Sequence, residues 1–171
     1  MSAGSLDDVY IIIPCFNEEL VIPKVVSELS QYFKNILVVN DGSTDATKTS
    51  LKDIDIAYVE HPFNLGQGAA IFTGFEYLKR NTKASACVTF DADGQHSVSD
   101  AVAFAKEILN CQEDIIFGTR FRGFEMEVPL VKKLVLKTVT KVTNLLTGMK
   151  LTDSHNGLKA YKIDVLNKLK T

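Results

Sequence analysis

Two aspartates one residue apart, Asp91 and Asp93, leave the end of an apolar run, Ala86-Cys87-Val88-Thr89-Phe90, and are followed by Gly94, Gln95 and His96. Open α/β sheets keep their chemistry where strands end. Carboxylates released into such a turn can share one hard divalent cation, whose other positions go to water and a substrate diphosphate. The same spacing also serves plain loop chemistry, in which Asp caps a helix or bonds its own backbone. A helix-loop-helix calcium site is excluded, because its sixth position would be His96 and its twelfth Val102, where Gly and Glu are needed. An aspartyl phosphatase also places its nucleophile at a strand end in a run like Asp-x-Asp-Gly, but the residue after it is usually Thr and here it is Gln95.

Four more clusters fall at expected strand ends. Pro14-Cys15-Phe16-Asn17-Glu18-Glu19 and Asn40-Asp41-Gly42-Ser43-Thr44-Asp45 each combine a turn with carboxylates near a helix start. Capping is their ordinary use. On one sheet edge with Asp91, however, Glu18 and Asp41 could accept hydrogen bonds from a base or a ribose, and Phe16 offers a face for the base. In Asn64-Leu65-Gly66-Gln67-Gly68-Ala69-Ala70, small residues precede a helix whose N-terminal N–H groups can receive an anion. It is neither a Walker loop, lacking Gly-Lys-Ser/Thr, nor a dinucleotide fingerprint, because it follows the third strand and lacks the third Gly. Phe117-Gly118-Thr119-Arg120 brings a guanidinium to the end of a fifth strand, where it could clamp a phosphate or simply form a surface salt bridge.

The elements that must position these clusters are legible as alternation. Apolar, β-branched runs recur at 9–13 (stopped by Pro14), 36–39, 56–59, 86–90 and 115–117, and stretches with helical spacing lie between them at 20–33, 44–52, 68–79 and 98–109. Ser43, Asn64 and Ser97 stand as candidate caps. Strand alternating with helix predicts βαβ units and buried strands of a parallel sheet. Val128 to Leu146 carries an apolar stripe and a cationic side with Lys132, Lys133, Lys137 and Lys141. It reads as a solvated helix packed on the sheet, or as one lying against an anionic membrane surface. Thr152 to Tyr161 reads as a loop leading into a further short element.

With 171 residues, 46% hydrophobic content and a net charge of −2, the chain can bury a core as a single domain, and it lacks the basic footprint of a nucleic-acid binder. An anionic ligand must be held by local groups. Cys15, Cys87 and Cys111 are odd in number and far apart, which predicts free thiols in a reducing compartment. No run reaches the ~18 apolar residues of a membrane span.

As a set, six motifs resemble family 2 glycosyltransferases, the inverting enzymes of the GT-A fold, and especially the branch with dolichyl-phosphate mannosyltransferase-like proteins. They are Ile-Pro-Cys-Phe-Asn-Glu, Val-Val-Asn-Asp-Gly-Ser-Thr-Asp, Asn-Leu-Gly-Gln-Gly-Ala-Ala, Phe-Asp-Ala-Asp-Gly-Gln-His, Gly-Thr-Arg and Thr-Asp-Ser-His-Asn-Gly-Leu-Lys-Ala, in family order from residue 10 to about 161. The resemblance implies a Rossmann-like three-layer α/β/α domain with a mainly parallel central sheet. It implies transfer of a sugar from a nucleoside-diphosphate sugar to a glycan hydroxyl or a polyprenyl phosphate, in cell envelope polysaccharide or lipid-linked sugar biosynthesis. Pro14, Phe16, Glu18 and Asp41 would line the nucleoside pocket, with Gly66 and Gly68 on the donor side. Asp91, Asp93 and Gln95 would surround Mg²⁺ or Mn²⁺ and the diphosphate, Asp93 being the direct ligand. Arg120 would face the diphosphate and Asp153 would be the catalytic base. The expected location is cytoplasmic, at the inner face of a membrane, with the 128–146 helix making peripheral contact. Gln67 stands where many members have Lys, and His155-Asn156 replaces commoner small residues before Gly157. Because relatives usually continue past the position of Thr171, the expectation is one catalytic domain over 1–171, shortened at its C-terminus. A non-catalytic nucleotide-sugar-binding domain is the alternative to an enzyme.

Overall fold

Alternating apolar segments pair into one six-stranded sheet in the computed structural model, which describes residues 5–93, 97–118, 158–166 and 168. In chain order the elements are β1 (Val9–Cys15), α1 (Ile22–Leu29), β2 (Asn35–Asn40), α2 (Thr47–Ser50), β3 (Ala57–Glu60), α3 (Gln67–Asn81), β4 (Ala86–Thr89), α4 (Val98–Asn110), β5 (Ile115–Phe117), β6 (Lys159–Lys162) and α5 (Ile163–Leu166). The strands lie in the order β3-β2-β1-β4-β6-β5. β1 pairs in parallel with both β2 and β4, β2 pairs in parallel with β3, and β6 is antiparallel to β4. Met1–Ile116 with Leu158–Thr171 form one compact unit, and Phe117–Gly157 form a second, of which Phe117 and Gly118 are described.

Period-two alternation splits the sheet's side chains between two faces, and the apolar content of both faces makes each strand read as a continuous hydrophobic run. Ile11, Ile13, Ile36, Val38 and Val88 pack with α1 and α4 through Val26, Leu29, Ala101 and Ile108. Ile12, Leu37, Val39 and Cys87 pack on the opposite face with α3 and α5 through Ala70, Phe75, Leu78 and Leu166. The result is three layers. Each fully buried aliphatic side chain contributes roughly 1.5–3 kcal/mol, so the two clusters fix the frame on which the loops are hung. Gly74 lets α3 lie close on β1, since a Cβ there would come within 2.6 Å of Ile12 Cγ2.

The structure revises several boundaries. β1 runs through Pro14 to Cys15 instead of stopping before the proline. Ile12 O accepts the Phe90 N–H at 2.9 Å, and alternation turns Pro14, two residues on, toward the same neighbour, β4. Proline has no N–H to extend that ladder, so β1 and β4 part there. α1 begins at Ile22, with Leu20 88% exposed and Pro23 in the first turn, where a missing N–H costs nothing. α2 shrinks to Thr47–Ser50 because Ser43 to Ala46 bond instead to the loop after β1. Of the three expected caps, Ser97 performs as one, accepting the Ser99 N–H at 3.1 Å. Ser43 accepts the Asn17 N–H, and Asn64 accepts the N–H of Gly66, which is itself the residue preceding α3. Lys159, Ala160 and Tyr161, read as loop, form β6 between β4 and β5. Four residues with lysine at both ends carry too little apolar pattern to announce a strand.

Candidate active site

The strand order reverses at β1, with β2 and β3 on one side and β4 on the other, and ligands of open α/β sheets bind at such a switch point. A cleft of about 380 Å³ opens there. β1 supplies Pro14 and Cys15 and the residues after it, Phe16 and Glu18; β2 is followed by Asp41; the loop before α3 gives Asn64 and the first residue of α3 is Gln67; and the turn after β4 gives Asp91, Ala92 and Asp93. Pro14, Phe16, Glu18, Asp41, Asp91 and Asp93, all sequence candidates, are thereby brought to one cleft. Gln95, Arg120 and Asp153 lie outside the described residues, as does the 128–146 segment.

Hydrogen bonds between loops hold the β1 end. Asn17 sits at φ 55°, a left-handed conformation that asparagine tolerates better than most residues. Its N–H donates to Ser43 Oγ at 2.9 Å, and its Oδ1 accepts the Thr44 N–H at 2.9 Å. The Glu18 N–H donates to Thr47 Oγ1 at 2.9 Å, and Glu19 Oε2 accepts the Ala46 N–H at 2.7 Å. These bonds fix the backbone just after Phe16, a residue that is 41% exposed and accessible to a flat ligand.

Asp41 is 2% exposed and its carboxylate is surrounded by donors. Oδ1 takes the Leu65 N–H at 2.9 Å and His61 Nδ1 at 2.7 Å; Oδ2 takes the Gly66 N–H at 2.7 Å. The N–H of Gly66, expected to meet a ligand anion, is thus given to an anion of the chain itself. Burial pushes the Asp41 carboxyl up, but the bonds from Leu65, His61 and Gly66 more than offset it and hold the group below the ordinary carboxylate value. A lowered folded-state pKa stabilises above the unfolded value, and that stability is lost as pH falls through the folded one. Acid titration of the unfolding free energy should therefore show a loss below about pH 4 that Asp41→Asn lacks, the ordinary Asp value being near 3.9.

Glu18, half-buried, behaves oppositely: burial first, then the charges of Asp93 and Asp45, push its carboxyl up. Gln67 Nε2 donates to Asp91 Oδ1 at 2.7 Å, orienting that carboxylate without neutralising it. The described lining therefore holds four carboxylates, Glu18, Asp41, Asp91 and Asp93, and no Lys, Arg or His. Such a field favours a cation. Among the described residues no group of three or more His, Cys, Asp or Glu could hold a metal by itself. Two hard oxygen donors completed by water and substrate phosphates nevertheless suit Mg²⁺ or Mn²⁺, so Asp91 and Asp93 fit the role. Cys15 is no nucleophile: burial, with Glu18, Asp45 and Asp41 nearby, pushes its thiol up to about 12, and it packs as a small apolar side chain.

The fold is that of the GT-A glycosyltransferases. Glucosyl-3-phosphoglycerate synthase from Mycobacterium tuberculosis, in complex with Mn²⁺, UDP-glucose and phosphoglyceric acid, has the same fold with a TM-score of 0.73 at 19% identity, covering 99% of this chain and 64% of that one. Residues 10–170 match Glycosyl transferase family 2, and the chain belongs to that family. It is 33% identical over 183 residues to the UDP-N-acetylglucosamine–dolichyl-phosphate N-acetylglucosaminyltransferase of Methanococcus voltae, covering 94% of this chain and 72% of the relative. It is 31% identical over 170 residues to the polyprenol monophosphomannose synthase of Mycolicibacterium smegmatis, covering 93% and 63%. The chain thus spans roughly two thirds of these proteins' length.

Sequence reasoning missed His61 and Thr73. His61 directly follows β3, as Asp41 follows β2 and Asp91 closely follows β4, and that position was the available signal. Thr73 gives none, being an ordinary mid-helix residue until His61 is seen against it.

Proposed function

We propose that this chain is the catalytic domain of an inverting, metal-dependent glycosyltransferase that moves a sugar from a nucleoside-diphosphate sugar to a polyprenyl phosphate or a glycan hydroxyl. The observation that carries this reading is the convergence of Phe16, Glu18, Asp41, Asp91 and Asp93 on one cleft at the sheet's switch point. Family membership sets aside the phosphatase alternative. The names of the two relatives favour a lipid phosphate as acceptor.

In this reading Phe16 stacks on the base, and Asp41 and Glu18 accept hydrogen bonds from base or ribose. Asp91 and Asp93, with Gln95, would hold Mg²⁺ or Mn²⁺, which supplies positive charge against the charge developing on the leaving diphosphate. Gln67 keeps Asp91 in place through its amide. Arg120 pairs with the diphosphate. Attack by the acceptor oxygen opposite the diphosphate inverts the anomeric carbon. Asp153 takes the proton from a hydroxyl acceptor, whereas a phosphate acceptor is already ionised. Among the described residues no helix is long and apolar enough to cross a membrane. The amphipathic stretch from Val128 to Leu146 would bring the domain to the cytoplasmic face of a bilayer that carries the lipid acceptor.

Calorimetry of UDP binding with Mn²⁺ and with EDTA tests the donor half. Chelation should weaken UDP by more than about tenfold, because the diphosphate then faces Asp91 and Asp93 with no intervening positive charge. Equal affinity under both conditions would refute the metal assignment. Single-turnover rates test the acceptor half. Asp153→Asn should cost roughly 10²–10⁴-fold with a hydroxyl acceptor and little with a polyprenyl phosphate.

A further inference from the structure

His61 is the first residue beyond β3 and is 8% exposed. Both ring nitrogens are engaged, Nδ1 by Asp41 Oδ1 at 2.7 Å and Nε2 by Thr73 Oγ1 at 2.9 Å. An ionised carboxylate only accepts, so Nδ1 carries the proton given to Asp41, while Nε2 is held by the Thr73 hydroxyl. Thr73 belongs to α3, and the His61 backbone N–H donates to Asn40 O at 2.8 Å at the end of β2. The imidazole is therefore braced from two elements while it holds a third group. A carboxylate has about four acceptor positions, and three of Asp41's are filled: two on Oδ1 and one on Oδ2. The remaining position belongs to Oδ2, on a residue that lines the cleft.

We propose that His61 is a positioning residue for the nucleoside half of the donor: it fixes the rotation of the Asp41 carboxylate so that the open position of Oδ2 receives one N–H or O–H from the base or ribose. Without the ring, only the Leu65 N–H on Oδ1 and the Gly66 N–H on Oδ2 hold the carboxylate, and its rotation toward the ligand is less tightly fixed. The effect is confined to ligands that carry a nucleoside, because the diphosphate belongs to Asp91 and Asp93 across the cleft. This inference rests on the reading of Asp41 as a nucleoside contact.

Two amides of similar chemistry separate positioning from general stability. His61→Asn puts an amide nitrogen where Nδ1 was, and His61→Gln puts one where Nε2 was. Calorimetry of the full chain with UDP and Mn²⁺, and separately with pyrophosphate and Mn²⁺, should find UDP affinity near wild type for the asparagine variant. It should be about tenfold or more weaker for the glutamine variant, a charge-assisted hydrogen bond being lost. Pyrophosphate affinity should stay at the wild-type level in both. Equal UDP affinity for the two variants, or parallel losses of UDP and pyrophosphate, would overturn the proposal. Thr73→Val supplies a milder probe that retains the imidazole, and it should weaken UDP a fewfold with pyrophosphate unchanged; unaltered UDP affinity counts against the brace. Asp41→Asn separates the layers of the argument. If that variant binds UDP normally, the nucleoside reading fails; if it loses UDP while both His61 variants retain it, only the role of His61 fails.

Discussion

Asp93→Ala is expected to remove manganese-dependent UDP binding by at least a hundredfold while leaving the fold intact. Asp93 is an exposed carboxylate in the turn after β4, so its loss opens no cavity in the core. Its charge acts on the cleft, being one of the causes that push the Glu18 carboxyl up. Removing it should lower the Glu18 pKa toward its ordinary value and cost little stability, an outcome in keeping with sites whose strain serves ligand binding. Asp91→Asn should be milder, since Gln67 already donates to Oδ1 of that residue. Calorimetry with and without Mn²⁺, paired with thermal melts, checks both variants. Retention of wild-type UDP affinity by Asp93→Ala would show that the metal, if used, is held elsewhere.

The local negative charge of the cleft gives this expectation its size. Among its described lining residues the cleft has no cationic side chain to meet a diphosphate, and Gln67, which bonds Asp91, is a neutral donor. At about 4 Å in a partly solvated site, each like-charge pair costs roughly 4 kcal/mol at an effective dielectric of 20. A divalent cation reverses the sign of that interaction, and Arg120 would add to it.

Much of this site was legible because its residues follow strands that the apolar pattern reveals. Asp41, Asp91 and Glu18 each come directly after or close to a β-branched or aliphatic run, and the parallel order of β2, β1 and β4 carries all of these ends to one edge. Hydrogen bonding between loops left no such trace. Ser43 looks like a cap because serine before a helical stretch usually is one, yet its hydroxyl serves Asn17, 26 residues earlier. His61 looks like a residue at the end of a strand, and its role appears only when Asp41 and Thr73, 20 and 12 residues away, are brought to its two nitrogens. β6 escaped for another reason. Lys159 and Lys162 flank its two central residues, and the strand is specified by its antiparallel partners Ala86 to Thr89 more than by its own composition.

Gly42→Ala is the second large expectation, and it acts on the same carboxylate from the backbone side. Gly42 follows Asp41 directly and sits at φ +70°, where an alanine is strained by roughly 1–2 kcal/mol. Its Cβ would stand 2.4 Å from Phe63 C, 2.6 Å from Phe63 Cα and 2.7 Å from Asn64 N. Those are backbone atoms, which no rotamer change can withdraw. The 63–66 segment must shift, and with it the Leu65 and Gly66 N–H groups that hold Asp41. Loss of stability should reach about 3 kcal/mol or more once the strain is joined by weakened bonds to a buried carboxylate. UDP affinity should fall together with stability. Gly66→Ala, at φ +93° with nothing within 4 Å of the new Cβ, should show the backbone strain alone. Gly68→Ala, in the first turn of α3 and equally unobstructed, should leave stability unchanged or raise it by up to about 1 kcal/mol. Urea titrations rank the three. If Gly42→Ala proved no more destabilising than Gly66→Ala, the close approach of the two loops would not be what holds Asp41 in place.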